Sequence, residues 1–509
     1  MLINWDGGSI ERGMLNHRQG LAPADMVCMI EEIVDEQARA GVDTYVHVVF
    51  AQFRANLSRL KLLQTVSRDW KPDCQEELDQ EGIDLTGILI DRCRYHGIPF
   101  LACLRMNDRH SESVEAEFWK AHPEWRLEAY RGGLDYRHEG VRDTLLAFID
   151  ELLGAYDLDG LEFDYMRWCH VFDPAEAEGH AGLLTEMTAQ TRARLDACAA
   201  KGGRDRMPLG VRIPQTLEEC RALGFDVATW VKQGLVDYLV PSDFFCTDLN
   251  TPVEDFVALT KGTLCRVYPA IHPLIGRGYE LGLMESTHYR AAAHNFYARG
   301  AHGLSPYNYM YTWDKRRNPW YMGSGLRWPA ALGTLRELSD LEQVRRHDRH
   351  YLFHTMWDEG APTGADKDCR IHLDAAQPTG MQRFRLCEDL TDSSLRAVLQ
   401  FKADGLDASD DVEISLNGRT VPSPRITRVA HPEGQTKYEG RPMASFALFL
   451  IDFPRGENPP MLLDGDNELS VTWCPGNSGG AVTVDELEVY VYVSDDLRPD
   501  VGQGFGLDA

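Results

Sequence analysis

The sequence predicts an α/β chain, a (β/α)8 TIM barrel followed by an all-β sandwich of the jelly-roll, galactose-binding-like kind. Three observations predict it. Short apolar segments alternate with amphipathic ones eight times before residue 350, as a parallel barrel requires. No glycine-rich phosphate turn follows an early strand, so a doubly wound open sheet is the poorer fit. After His350 helical spacing gives way to two-residue alternation broken by Asn, Gly, Asp and Pro turns.

Taken in order, Leu2 to Trp5 is the first expected strand, and a helix from about Ala24 to Ala40 carries Met26, Met29, Ile30 and Ile33 on one face. Thr44 to Phe50, rich in β-branched and aromatic residues, is the second strand, with a helix near Leu85 to Tyr95 after it. Pro99 to Leu104 is the third strand. The run Val141 to Tyr156 repeats Leu145, Leu146, Ile149, Leu152 and Leu153 at helical spacing and leads into a fourth strand at Leu161. Helices at Ala181 to Ala200, Leu217 to Gln233, Val253 to Thr260 and Thr287 to Arg299 then alternate with strands at Leu209 to Ile213, Val236 to Val240, Cys265 to Ala270 and Gly303 to Tyr307. A last helix is expected over Trp328 to Leu341. These signals divide the chain into a barrel over 1–350, a linker over 351–366, a sandwich over 367–497 and a tail over 498–509. Within the sandwich, Val412 to Leu416 meets an Asn417-Gly418 turn, and Ser445 to Phe453, Glu468 to Trp473 and Ala481 to Val493 are further strands. Packing against the barrel is its first expected role, ahead of carbohydrate binding.

Composition bounds the function. The chain has 509 residues and is 43% hydrophobic, which supports a sizeable core and argues against disorder. Seventy-nine acidic against 52 basic residues leave a net charge of −27, so nucleic acid is not an expected partner. No apolar run is long enough to cross a bilayer, and Met1 to Asp6 lacks signal-peptide features. The 12 cysteines contain no CxxC pair and read as reduced thiols. Together these give a cytoplasmic protein with no membrane partner, and they leave homo-oligomerisation open.

The stretch Asp159-Gly160-Leu161-Glu162-Phe163-Asp164-Tyr165-Met166 carries the chemistry. Leu161, Phe163 and Tyr165 alternate with Glu162, Asp164 and Met166, so one face of the strand presents two carboxylates. Burying acids without a task is costly. A barrel resolves this if the apolar set packs on the helices and the acids look inward near the C-terminal mouth. Polar residues at the other expected strand ends are Asp6, Arg105, Asn107, Asp108, Arg167, Arg212, Asp243, His272, Tyr307, Asn308 and Tyr309. Glycoside hydrolysis needs two carboxyl groups flanking the scissile bond. Asp164 is the expected nucleophile or base, with Arg212 neutralising it from the next strand; a structural ion pair is the competing reading. Asp243 is the first choice for general acid, against a plain loop cap. Glu162 is the second choice, lying deeper and expected to bond Arg212 or Arg105. Trp168, Tyr307, Tyr309 and Trp313 form an aromatic set suited to pyranose faces, with Asp6, Arg105, Asn107, Asp108, Arg167, Arg212, His272 and Asn308 as polar substrate contacts.

The segment from Leu134-Asp135-Tyr136-Arg137 through the helix to Asp159-Gly160-Leu161-Glu162-Phe163-Asp164, with His122-Pro123-Glu124-Trp125 ahead of it, resembles the family 10-like glycosyl hydrolase barrels. The resemblance is specific over Phe118 to Arg167. It implies a barrel fold and action on an oligosaccharide or glycoside.

Other chemistries lack their signatures. There is no HxH pair, HExxH or P-loop, so neither a cofactor nor a metal site is expected. Two rival functions stand beside hydrolysis, for which retention is slightly favoured over inversion. One is a lyase or isomerase in which Arg105 and Arg212 receive an acidic sugar. The other is a barrel that binds glycans without turning them over.

Overall fold

The computed structural model describes residues 1–5, 23–51, 54–55, 81–107, 117–128, 132–244, 246–275, 278–309, 330–354, 368–406, 410–433, 437–438, 441–442, 445–474 and 480–493. Asp6, Asp108 and Trp313 lie outside them, as do most of the expected linker and all of the expected tail. Among the described residues no helix is long and apolar enough to cross a membrane.

Strands and helices alternate as β1 (Leu2–Trp5), α1 (Pro23–Arg39), β2 (Thr44–Ala51), α2 (Leu85–His96), β3 (Phe100–Arg105), α3 (Glu139–Ala155), β4 (Gly160–Asp164), α4 (Ala181–Lys201), β5 (Leu209–Pro214), α5 (Leu217–Ala222), α6 (Val227–Lys232), β6 (Tyr238–Ser242) and α7 (Val253–Thr260). Then come β7, in two short stretches Arg266–Val267 and Ala270–Ile271, α8 (Ser286–Ala298) and β8 (Ser305–Pro306). From β1 to Arg266–Val267 the strands form one parallel sheet in chain order, curled into a TIM-like barrel. Ser305–Pro306 pairs in parallel with Ala270–Ile271. The same segment reaches β1 through an Asn4–Tyr307 bridge and the bonds Leu2 N to Leu304 O and Asn308 N to Asn4 O, each 2.9 Å.

Two departures from the sequence reading have local causes. The helix expected over Leu217 to Gln233 is split, because Gly224 takes φ +83° and Asp226 caps a new helix through Thr229 N. Pro269 interrupts the seventh strand; lacking an N–H, it cannot continue the ladder.

The two faces of the sheet are packed differently. Leu161, Phe163 and Tyr165 join the large cluster between barrel and helices, where α3 contributes Val141, Leu145, Phe148, Ile149 and Leu152. Burial of each such side chain stabilises the fold by roughly 1.5–3 kcal/mol. Met166 joins the same cluster rather than following Glu162 and Asp164 inward, since the strand ends at Asp164. Inside the barrel a smaller cluster gathers Leu2, Val46, Val48, Leu101, Cys103, Tyr238, Val240 and Ala270. The His122-Pro123-Glu124-Trp125 element is a clip. His122 stacks on Trp125 with ring centroids 3.7 Å apart, and the indole lies against Gly140 in the first turn of α3, where a Cβ would stand 2.4 Å from it.

Beyond residue 348 the chain forms antiparallel sheets. One has the order Arg349–Phe353, Val482–Tyr492, Arg396–Asp404, Phe446–Phe453, Ile426–His431, with Ile371–Leu373 on the second strand; another has Thr379–Leu386, Gly465–Cys474, Asp411–Leu416, Arg419–Thr420. The expected Asn417-Gly418 turn is present, with φ of 53° and 73°. Arg349–Phe353, which the sequence reading divided between barrel and linker, is a strand of the first sheet.

Gly210 is required inside the barrel, because a Cβ there would stand 1.9 Å from the Tyr238 Cζ. Gly210→Ala is expected to cost about 1–3 kcal/mol of stability through overpacking, read from the urea unfolding midpoint.

Candidate active site

Parallel register brings three charged side chains to one level at the C-terminal ends of neighbouring strands. Arg105 on β3 is the partner of Asp164 on β4, and Asp164 is the partner of Arg212 on β5. Arg212 Nη1 lies 2.9 Å from each Asp164 carboxylate oxygen, while Arg105 Nε stands 3.9 Å from Oδ2. The Met166 amide donates to Asp164 Oδ1 at 2.8 Å. Asp164 is fully buried and Arg212 is 1% exposed, so the pair is shielded from solvent.

Arg212 uses all five of its N–H donors on protein. Besides Asp164, it donates from Nε to Ser242 Oγ at 3.1 Å and from Nη2 to the carbonyls of Asp243 and Phe244 at 3.2 and 3.3 Å. Its guanidinium carbon sits 4.2 Å from the centre of the Tyr307 ring. Arg105 Nη2 donates to the Tyr307 hydroxyl at 2.7 Å. Tyr307 thus touches both arginines from the strand that meets β1.

His272 completes this group. Its Nε2 lies 3.0 Å from Ser242 Oγ and 3.4 Å from Arg212 Nη2, and its ring tilts against Tyr307 at 5.1 Å. Ser242 gives its own hydroxyl hydrogen to the Asp243 carbonyl at 2.6 Å. Burial, and then the Arg212 charge, press His272 well below the usual imidazole range, so it is neutral. Asp243 follows the last residue of β6, buried beside this group, and its Oδ1 accepts from the Cys246 amide at 3.3 Å. Above it, Phe244 is approached by Trp168 at 5.6 Å and by the Arg167 guanidinium at 5.2 Å.

One layer deeper, the register aligns Cys103, Glu162, Gly210 and Tyr238 on four successive strands. Glu162 does not bond either arginine, as the sequence reading had it. It receives Asn4 Nδ2 at 2.6 Å and the Tyr238 hydroxyl at 2.9 Å. Burial, and then the nearby charge of Asp164, push it up to about 7.

Three other sequence candidates are placed away from that group. Asn107 gives both amide N–H bonds to the carbonyls of Leu134 and His170, tying two loops together. Asn308 has φ 52°, and its backbone bonds Asn4. That left-handed residue breaks the alternation, so Tyr309 turns into the outer core, packing on Tyr289 at 5.2 Å and donating to the Ala331 carbonyl. Ser242, Asn4, Tyr238 and Gly210 were missed. Ser242 and Asn4 are polar residues in buried strands, a signal the sequence held, whereas the Gly210–Tyr238 fit is visible only across strands. Among the described residues no three His, Cys, Asp or Glu side chains gather as a metal site.

No family model matches the sequence. No curated protein is detectably similar to it. Three solved structures to which it is similar are glycoside hydrolases by name. An α-L-fucosidase isoenzyme 2 from Paenibacillus thiaminolyticus shares 13% identity at a TM-score of 0.43, over 68% of this chain and 49% of that one. The PgaB (BpsB) glycoside hydrolase domain from Bordetella bronchiseptica shares 12% at 0.43, over 67% and 98%. An endo-1,4-β-mannanase from Rhizomucor miehei shares 9% at 0.42, over 67% and 94%. This chain spans about half the length of the fucosidase.

Replacing Arg212 by the uncharged Met leaves a buried carboxylate without its cation, and the expected cost is about 3–5 kcal/mol at pH 7. Chemical denaturation of Arg212→Met against the parent protein measures it.

Proposed function

We propose that the chain is a glycoside hydrolase in which Asp164 is the nucleophile or base and Asp243 the general acid. The observation that carries the reading is the placement of Asp164. It is a buried carboxylate at the C-terminal end of a parallel strand, aligned by Arg212, Arg105 and a backbone amide. Among the described residues, Asp164 and Asp243 are the buried carboxylates that stand at or just past the ends of barrel strands, with β5 between them. Trp168, half-buried beside Phe244, supplies ring surface at the same end for a sugar face. The resemblance of Phe118 to Arg167 to family 10-like glycosyl hydrolases points the same way.

The acidic-sugar lyase or isomerase loses its main support. Arg212, with every N–H donor engaged by protein and 1% exposure, is a framework cation rather than an anion receptor. Neutral His272 is likewise a poor proton donor. The C-terminal sheets, taken as a sandwich over 367–497, serve as a buttress for the barrel.

A panel of aryl glycosides, assayed with Asp164→Asn beside the parent protein, tests the reading. Turnover by the parent and a loss of at least about 10²–10⁴-fold in kcat for the variant are expected. Binding of a glycan without turnover by either protein would place the chain among binding-only barrels. Proton NMR of the first-formed anomer then separates roles, since retention follows from Asp164 as nucleophile and inversion from Asp164 as base.

A further inference from the structure

Glu162 is a carboxyl group inside the barrel with no cation in contact. The groups facing it are Asn4 from β1, Cys103 and Arg105 from β3, Asp164 on its own strand, Gly210 and Arg212 from β5, and Tyr238 from β6, which Tyr268 meets edge-on at 5.8 Å. Three of them, Asn4, Tyr238 and Cys103, are neutral hydrogen-bonding partners. A bare carboxylate in such a place pays heavily in lost hydration.

Asn4 Nδ2 stands 2.6 Å from one Glu162 carboxyl oxygen and the Tyr238 hydroxyl 2.9 Å from the other, so each oxygen meets one neutral partner. The two ends of an amide are told apart by their partners alone, so Asn4 can donate to an ionised Glu162 or, turned, accept from its hydroxyl.

We propose that Glu162 is a positioning residue, a carboxyl kept protonated one barrel layer beneath Asp164, whose ionisation slows the proposed hydrolysis. While Glu162 is neutral, Arg212 answers a single carboxylate. Once ionised, Glu162 attracts the same guanidinium, and the grip that aligns Asp164 is shared between two anions. The role rests on the hydrolase reading; the proton on Glu162 does not.

The sign of the pH dependence follows from the same burial. Folded Glu162 holds its proton up to about 7, above the ordinary 4.5 of the unfolded chain. Between those values the folded state carries the extra proton, so stability falls as pH rises through that window and changes no further from this group above it.

Glu162→Gln imitates the protonated form, its amide N–H facing Asn4 and its oxygen facing Tyr238. Infrared difference spectra of parent minus Glu162→Gln at pH 6 are expected to show a protonated-carboxyl band that fades by pH 8.5. Tyr238→Phe removes a donor to the ionised form and is expected to move the midpoint of that fading upward, which keeps the test open if the Gln variant folds poorly. In kcat/KM on the best aryl glycoside, the parent should fall above about pH 7, and the Gln variant should hold its rate to a pH at least one unit higher. No band at pH 6, or an identical alkaline fall in both proteins, overturns the proposal. A band without turnover of any glycoside overturns the hydrolase reading and the positioning role together, yet leaves the proton assigned.

Discussion

The ion pair between Asp164 and Arg212 is the constraint on which the rest of the site depends. Neighbouring strands in parallel register set both residues at one level, and Arg105 falls level with them on the other side. A buried pair is a weak source of stability, because desolvation offsets most of its attraction. Its value here is geometric. Five N–H groups of one guanidinium reach Asp164, Ser242 and the carbonyls of Asp243 and Phe244, so one side chain fixes the ends of β4 and β6 relative to each other. Asp164 cannot rotate away without breaking that set, and Asp243 cannot drift without releasing a carbonyl.

Closure of the sheet explains why the interior is layered. Each strand sends alternate residues inward, and register stacks them by level. The Arg105–Asp164–Arg212 level lies above Cys103–Glu162–Gly210–Tyr238, and the apolar filling of Leu2, Val46, Leu101 and Ala270 occupies the same interior. Gly210 leaves the space that the Tyr238 ring fills, and the ring carries its hydroxyl to Glu162. Two carboxylates two residues apart on β4 thereby meet opposite surroundings, one between guanidiniums and one among neutral donors. Such separation is how one protein keeps an anion and a neutral acid side by side.

Much of this was legible before any coordinates. The alternation Leu161-Glu162-Phe163-Asp164 placed the acids inward because sheet geometry leaves a strand only two faces. Spacing in Val141 to Leu152 gave α3, and β-branched content gave β2. Unreadable features were those decided across strands or by one residue's backbone. Asn308 at positive φ sends Tyr309 to the outer core, which alternation alone assigned to the mouth. The partners of Glu162 lie 158 and 76 residues away, at Asn4 and Tyr238. Arg396–Asp404 went unread because it is the inner strand of its sheet, buried almost throughout, and so shows little two-residue alternation.

The place where the antiparallel sheets meet the barrel follows from where the barrel is thinnest. β7 consists of two stretches of two residues, and β8 has only two, so ladder bonds alone hold that sector poorly. α8 covers it, and α8 is the helix that the sheets grip. His288 bonds His350 at 2.7 Å, which passes on to the buried Glu488 at 2.7 Å. His294 meets Tyr351, and Asn295 accepts from the Cys387 amide at 3.1 Å. In the loop before α7, Asn250 takes the Arg385 amide at 2.9 Å. These are buried polar contacts, which tolerate little sliding once formed. They locate the helix that backs β7 and β8, and through β8 they hold Tyr307 over Arg212. A surface built for this purpose is committed on that side, which makes a buttress the better account of the sheets than a separate glycan receptor there.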